Sequence, residues 1–403
     1  MALYMYRARD GAGKIVKGTM DAATKTELID KLQKMGYMAT NVKETSSAEM
    51  TSIFDRFQRI RSDDMLMFYI QLSNMITAGI TILMSLSTLG KQAENKALKQ
   101  AIGSVSRQVE SGSSLSQAFA TQPRIFSKLF VNMIKAGEAS GNLDAVLMRY
   151  ATFFENQEDL KQKIRGALFY PIILLCAGIA VTLLIVTFVI PQFAEIYLKA
   201  GIKLPLPTLI VYNAGLFIKN FWYVIIICII AVLVGLKFYF ATVKGQTFYD
   251  RMKLSLPIIG PLYRKVAMAR FARTLATLLG SGVPILQSLD IVKDIVGNVI
   301  LAAAITNIRG YVEKGERMSE PMRISGEFPP DIVQMVSVGE ETGNMDGMLN
   351  KTADFYDMTV GYAVKKLTTV IEPLFLVVLG VMVGFIMASM LMPIFDMVKT
   401  LKH

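Results

Sequence analysis

The chain has 403 residues, of which 53% are hydrophobic, with a mean hydropathy of +0.42 and a net charge of +11. Such apolarity argues against an ordinary soluble domain and for a membrane protein. A single histidine, His403, excludes histidine-based catalytic triads and zinc sites, and Cys176 and Cys228 lie in apolar runs with neither disulfide nor metal-ligand spacing.

Residues 1–44 read as a small α+β module. Leu3–Ala8 and Lys14–Thr19 flank the turn-rich Asp10-Gly11-Ala12-Gly13 and predict a hairpin. Thr24 with Glu27 predicts a capping box, Leu28 and Leu32 share one helix face, and Gly36 is a stop. Gly11-Ala12-Gly13-Lys14 is not a phosphate loop, because Ile15 stands where Ser or Thr is required and Ala8 where the first glycine is required. No signal peptide is expected: Met1–Lys14 lacks an apolar core and carries Arg7, Arg9 and Asp10. Residues 45–62 read as a polar linker and then a basic amphipathic helix, Ile53–Arg61, which packs on its own domain or lies on the membrane surface.

The remainder is an internal duplication. Gly137-Glu138-Ala139-Ser140-Gly141-Asn142-Leu143-Asp144 returns as Gly339-Glu340-Glu341-Thr342-Gly343-Asn344-Met345-Asp346. Upstream, at an offset of 203, Phe68, Gly79, Gly112 and Ser116 match Phe271, Gly282, Gly315 and Ser319; downstream, at 202, Phe126, Pro171 and Pro191 match Phe328, Pro373 and Pro393. One residue is therefore missing between Ser319 and Phe328. Both copies, 63–168 and about 264–370, show apolar residues at three- and four-residue spacings broken by glycines, which predicts antiparallel helical bundles.

Three apolar runs, uncharged but for Lys237 at the end of the second, predict membrane spans at 169–190, 220–240 and 373–393, with a loop at 191–219 and a short tail at 394–403. The fold class is an all-α polytopic membrane protein with two homologous helical domains, three transmembrane helices and the small α+β module. Of 43 basic residues only Lys199, Lys203, Lys219, Lys399 and Lys402 fall on one side of these spans. The heavier side is expected to be cytoplasmic, with the amino terminus there and the carboxyl terminus periplasmic. The positive charge then needs no nucleic acid, since juxtamembrane cations favour anionic lipids. Two copies share one orientation only with an unpaired span between them, and the run around Trp222 is that span.

In each repeated motif, Gly141 or Gly343 suits a left-handed helix end, Asn142 or Asn344 the next cap, and Asp144 or Asp346 a helix first turn. Capping does not need Glu138 or Glu340, so alongside the structural reading stands a partner-contact role for the motif. Gly380, Gly384 and Ala388 put small residues on one face of the third span, for packing against the other spans or against another subunit. Tyr170-Pro171 and Glu372-Pro373 read as span openings with proline in a first helical turn, and Pro191 and Pro393 as span ends.

With these motifs in this order, almost the whole chain resembles the type II secretion F / type IV pilus inner-membrane platform family. Its carriers are the paired Gly137-Glu138-x-x-Gly141 and Gly339-Glu340-x-x-Gly343, the prolines at the span ends, and Leu204-Pro205-Leu206-Pro207-Thr208, which is similar to the family's periplasmic segment. The resemblance implies a non-enzymatic, cofactor-free scaffold in the bacterial inner membrane, binding a cytoplasmic ATPase, pilins or pseudopilins and other machine components as a homo-oligomer. A small-solute transporter and a membrane-tethered regulatory scaffold are the alternatives.

Overall fold

The computed structural model describes residues 2–9, 15–22, 25–34, 36–44, 60–199, 204–257 and 259–400. The amino-terminal module contains strands β1 (Ala2–Arg9), β2 (Ile15–Ala22) and β3 (Met38–Glu44) and helix α1 (Lys25–Lys34). Both β2 and β3 pair antiparallel with the central β1, and Arg9 opposes Ile15 at the hairpin end, as the hairpin pattern predicts. Leu28 and Leu32 of α1 are fully buried together with Ala8. Strand β3 was not anticipated, because Met-Ala-Thr-Asn-Val-Lys-Glu shows no clean apolar alternation. The turn at 10–14, Thr24 and residues 45–59 lie outside the described residues. Of the expected amphipathic helix only its end is described, and Arg61 there is extended, the amino-terminal cap of the next helix.

The first copy folds as α2 (Ser62–Thr77), α3 (Ile82–Gln92), α4 (Lys96–Glu110), α5 (Leu115–Ala120) and α6 (Lys128–Ser140), leading into α7 (Leu143–Leu184). Thr81, Asn95, Ser114 and Ser127 each accept a first-turn amide and so fix where these helices begin. Phe68, Tyr69, Phe119, Phe126, Phe130 and Tyr150 form an aromatic core, with Phe119 4.6 Å from Phe126 and Tyr150 4.7 Å from both Tyr69 and Phe130. Tyr150 shares a 3.1 Å hydrogen bond with Ser127, and burial pushes the Tyr69 and Tyr150 phenols above their ordinary range.

The second compact unit, residues 152–403, holds the other copy and the apolar helices. After α7 come the π segment Ile185–Val189, α8 (Ile190–Lys199), α9 (Leu206–Phe240) and α10 (Val243–Ser255). Then follow α11 (Ile259–Gly280), α12 (Ile285–Ile295), α13 (Val299–Glu313), α14 (Ser319–Ser325), α15 (Pro330–Thr342) and α16 (Met345–Thr400). This copy keeps the helix order with a different core. Only the Phe271–Phe328 pair, at 5.0 Å, survives of the aromatic set, and Ala272, Met322, Ile332 and Thr352 stand where the first copy has Tyr69, Phe119, Phe130 and Tyr150.

Three helices, α7 with its continuation, α9 and α16, are long and apolar enough to cross a membrane. Their apolar windows are 6%, 0% and 6% buried, so they present lipid-ready surface rather than a soluble core. The expected loop at 191–219 is largely helix. Pro205 and Pro207 start α9 instead of lying in a loop, because proline suits a first turn.

The prolines at the expected span openings also behave differently. Pro171 lies inside the 42-residue α7 and Pro373 inside the 56-residue α16, neither in a first turn. An interior proline frees the carbonyl four residues earlier. For Pro171 that is Ala167, whose oxygen meets the Thr368 hydroxyl at 3.5 Å, a weak replacement of the kind that lets spanning helices carry proline. Pro191 and Pro393 likewise do not end helices, since α8 continues to Lys199 and α16 to Thr400.

Pro191 follows a π turn in which the Ile190 amide donates to the Ile185 carbonyl. Proline cannot make the next bond of that pattern, to Val186. Gly215 of α9 faces this carbonyl so closely that a Cβ there would lie 2.1 Å from the Val186 oxygen. Farther along, Ile190, Val211 and Ile386 cluster, and the Thr208 hydroxyl donates to the Ser389 carbonyl at 2.5 Å. Gly178 meets the ring edge of Phe375. Small residues thus hold the three spans together, although not the ones on the Gly380 face.

Candidate functional site: the paired glycine–glutamate motif

The motif closes one helix and opens the next. Gly141 and Gly343 have φ of +72° and +71°, the left-handed conformation that ends α6 and α15. Asn142 donates back to the Gly137 carbonyl at 3.1 Å, and its own carbonyl starts α7 by accepting from Val146. Gly137 and Gly339 let the two helices meet. A Cβ on Gly137 would lie 3.2 Å from Val146, and one on Gly339 would lie 3.0 Å from the Met345 Cα. Asp144 and Asp346 occupy the first turns of α7 and α16, facing the positive end of the helix dipole. Asn344 accepts the Gly347 amide at 3.2 Å.

Glu138 has a partner inside its own bundle. Its carboxylate accepts the Leu115 amide at 2.5 Å, the Ser116 amide at 3.3 Å and the Ser116 hydroxyl at 2.5 Å. Ser114 takes the Gln117 amide at 3.3 Å, so the first three amides of α5 are all satisfied. Glu340 repeats the arrangement at α14 with the Met318 amide, the Ser319 amide at 3.3 Å and the Ser319 hydroxyl at 2.7 Å. A half-buried carboxylate thus caps a short neighbouring helix from 22 residues away in the first copy. The signal available in the sequence was the joint recurrence of Ser116 with Glu138 and of Ser319 with Glu340. It goes unnoticed when capping is sought only next to the helix being capped.

The other expected site residues lie apart from this motif. Tyr170, Glu372 and Pro373 are exposed on the apolar helices, and Pro191 is buried. The side chain of Pro393 is outside the described residues. Gly380, Gly384 and Ala388 are exposed, and a Cβ added at either glycine would meet nothing within 4 Å. Packing of this face against the other spans is therefore excluded within the described residues.

The second copy also has a polar cluster that was not anticipated. Arg273 donates to Asp354 at 2.6 Å and to Asp357 at 2.7 Å, with only 13% of its side chain exposed. Burial pushes the Asp357 carboxyl up from the ordinary range, against the pull of Arg273. The first copy has Ile70, Thr152 and Glu155 at these positions. Removing the cation alone would strand the half-buried Asp357 carboxylate. We expect Arg273→Ile to lower stability by about 3 kcal/mol and the added Asp357→Leu change to restore most of it, read by urea unfolding of the full chain. Additive losses would rule out the pairing.

Comparison with protein families decides what carries these features. The model for "Type II secretion system (T2SS), protein F" matches residues 68–191 and again 271–393, and the model for that protein's N-terminal domain matches 1–43. The chain belongs to the type II secretion system protein F family. The two matches begin at Phe68 and Phe271 and end at Pro191 and Pro393, so they reproduce the duplication with both of its offsets. Among curated proteins similar to it is "Type IV pilus assembly protein PilC" of Thermus thermophilus, 36% identical over all of this chain and 99% of that one. The protein of the same name from Myxococcus xanthus is 35% identical over 98% and 95%. "Type II secretion system protein F" of Xanthomonas campestris pv. campestris is 31% identical over the full length of both. Family membership and three apolar helices make this F-family chain a multi-pass membrane protein of pilus or secretion machinery.

Proposed function

We propose that the chain is a non-enzymatic inner-membrane platform for a type IV pilus or type II secretion system, coupling a cytoplasmic ATPase to the assembly of pilins or pseudopilins. The observation that carries this reading is the continuity of α16 from the second helical bundle through its apolar stretch, with no interruption over 56 residues. A motion imposed on the bundle by a motor would reach partner helices in the membrane along one helix, past the interior Pro373. In this reading the bundles and the amino terminus are cytoplasmic, following the excess of Lys and Arg on that side. The Gly380–Gly384–Ala388 face, open in the single chain, is the surface for a second copy or a pilin helix.

Site-specific photocrosslinking tests the division of labour. Probes on exposed positions of α4 and α13 should capture the ATPase, and probes beside Gly384 should capture a pilin or another copy of the chain. Failure of both bundles to crosslink the ATPase in assembling cells would overturn the coupling. For the open face, Gly380→Leu with Gly384→Leu should leave the unfolding free energy within about 0.5 kcal/mol of wild type while reducing oligomer size. Unchanged oligomer mass by light scattering would refute that role.

A further inference from the structure

The second copy carries a trough where α11 begins alongside α16. It has a volume of about 470 Å³, and its apolar lining includes Pro257, Pro261, Leu262, Leu367 and Val370, with Tyr362 beside them. Its only charged lining residues are Lys265 and Lys366. Among the described residues neither ammonium joins an ion pair, whereas nearby Lys163, Lys253 and Arg264 are each matched to a carboxylate. Two unmatched cations among apolar lining residues form an incomplete arrangement. An anion with a hydrocarbon tail completes it.

The trough also lies at the right depth. After Lys366 the helix carries no further Lys or Arg until Lys399. Pro373 is seven residues beyond Lys366, a rise of about 10 Å, and a bilayer's interfacial zone adds about 5–7 Å to each side of its hydrocarbon core. The Lys366 backbone therefore stands about 3–5 Å outside the interfacial zone, a gap that a lysine side chain extended toward the membrane can span, and Leu367 and Val370 lie between it and the span. Tyr362, 64% exposed, lies one helical turn farther from the membrane and closes the outer end of the trough. The duplication supplies an internal contrast, because the first copy has Ser62 in place of Lys265 and Ile164 in place of Lys366.

We propose that this trough binds one anionic phospholipid, its phosphate held by Lys265 and Lys366 and one acyl chain laid against Leu262, Leu367 and Val370. The second copy would thereby be tied to the bilayer surface at a defined point, a property that the first copy lacks. The argument requires only that α16 cross the membrane, and does not depend on the ATPase or pilin assignments.

The test is native mass spectrometry of the full-length protein in detergent, titrated with phosphatidylglycerol or with phosphatidylcholine. Wild type should retain phosphatidylglycerol about tenfold better than phosphatidylcholine. Lys265→Gln with Lys366→Gln should abolish that preference, Lys265→Arg with Lys366→Arg should preserve it, and Lys351→Gln, outside the trough, should not alter it. Equal retention of the two lipids by wild type, or an undiminished preference in the double Gln variant, would overturn the proposal. Displacement of the lipid by millimolar inorganic phosphate would show a site for the phosphate group alone and would also overturn it. Should the Gln variant misfold, phosphatidylglycerol with a photoreactive acyl chain must label the 362–370 stretch of wild type, and labelling confined elsewhere sinks the idea.

Discussion

Reversing Glu340 to lysine is expected to destabilise the second helical bundle by about 3 kcal/mol, because a carboxylate that accepts two amides and a hydroxyl at a helix start is replaced by a cation at the positive end of the dipole. Glu138→Lys should act in the same way on the first bundle through Leu115 and Ser116. Glu340→Gln keeps an acceptor oxygen and should cost about 1 kcal/mol, and Ser319→Ala, which removes one bond, about as much. Urea unfolding of the full chain and limited proteolysis around α14 give the readout. A charge-reversed protein that unfolds at the wild-type midpoint but fails to assemble filaments would refute the internal role and return the motif to a partner surface.

Gly215→Ala should be the most damaging single-methyl change in the membrane region, at about 3 kcal/mol. The added Cβ would sit 2.1 Å from the Val186 carbonyl oxygen and 3.2 Å from its carbon, and backbone atoms cannot rotate aside. Gly178→Ala provides the contrast: its Cβ meets the tip of the Phe375 ring at 2.7 Å, the far end of a side chain that can turn away. That change should cost less than about 1 kcal/mol. The sole tryptophan, Trp222, lies on α9, so its fluorescence reports whether that helix leaves the bundle on heating. Equal melting of Gly215→Ala and wild type would show that α9 does not depend on this close approach.

What could be read from the chain was local. The β1–β2 hairpin, the buried Leu28–Leu32 face, the glycine-marked helix ends and the three apolar runs each rest on residues within a few positions of one another. Glu138 and Ser116 are 22 residues apart, and Arg273 is 81 and 84 residues from its two aspartates, so only the fold brings them together. The prolines misled for another reason. A local rule assigns proline to a helix start, yet Pro171 and Pro373 sit in long helices whose flanking turns, and in one case the Thr368 hydroxyl, compensate the missing bond. The first copy's aromatic core against the second copy's aliphatic one was visible only once the repeat was aligned, and its packing not even then.

The unbroken helix α16 carries a consequence for how the duplicated halves have diverged. Each residue added to or removed from a helix turns everything beyond it by about 100°. A change of length between the motif and the membrane would therefore rotate every lipid-facing side chain relative to the bundle. Gly339 and Pro373 are 34 residues apart, as are Gly137 and Pro171, and the next 20 residues to Pro393 and Pro191 agree as well. The one length difference between the copies falls between Ser319 and Phe328, where α14 ends at the left-handed Gly326 and a turn absorbs it. Substitution has been free along these shafts, but their angular phase has been held fixed as far as the π turn at Ile185–Val189, where the winding of the first copy departs from that of α16.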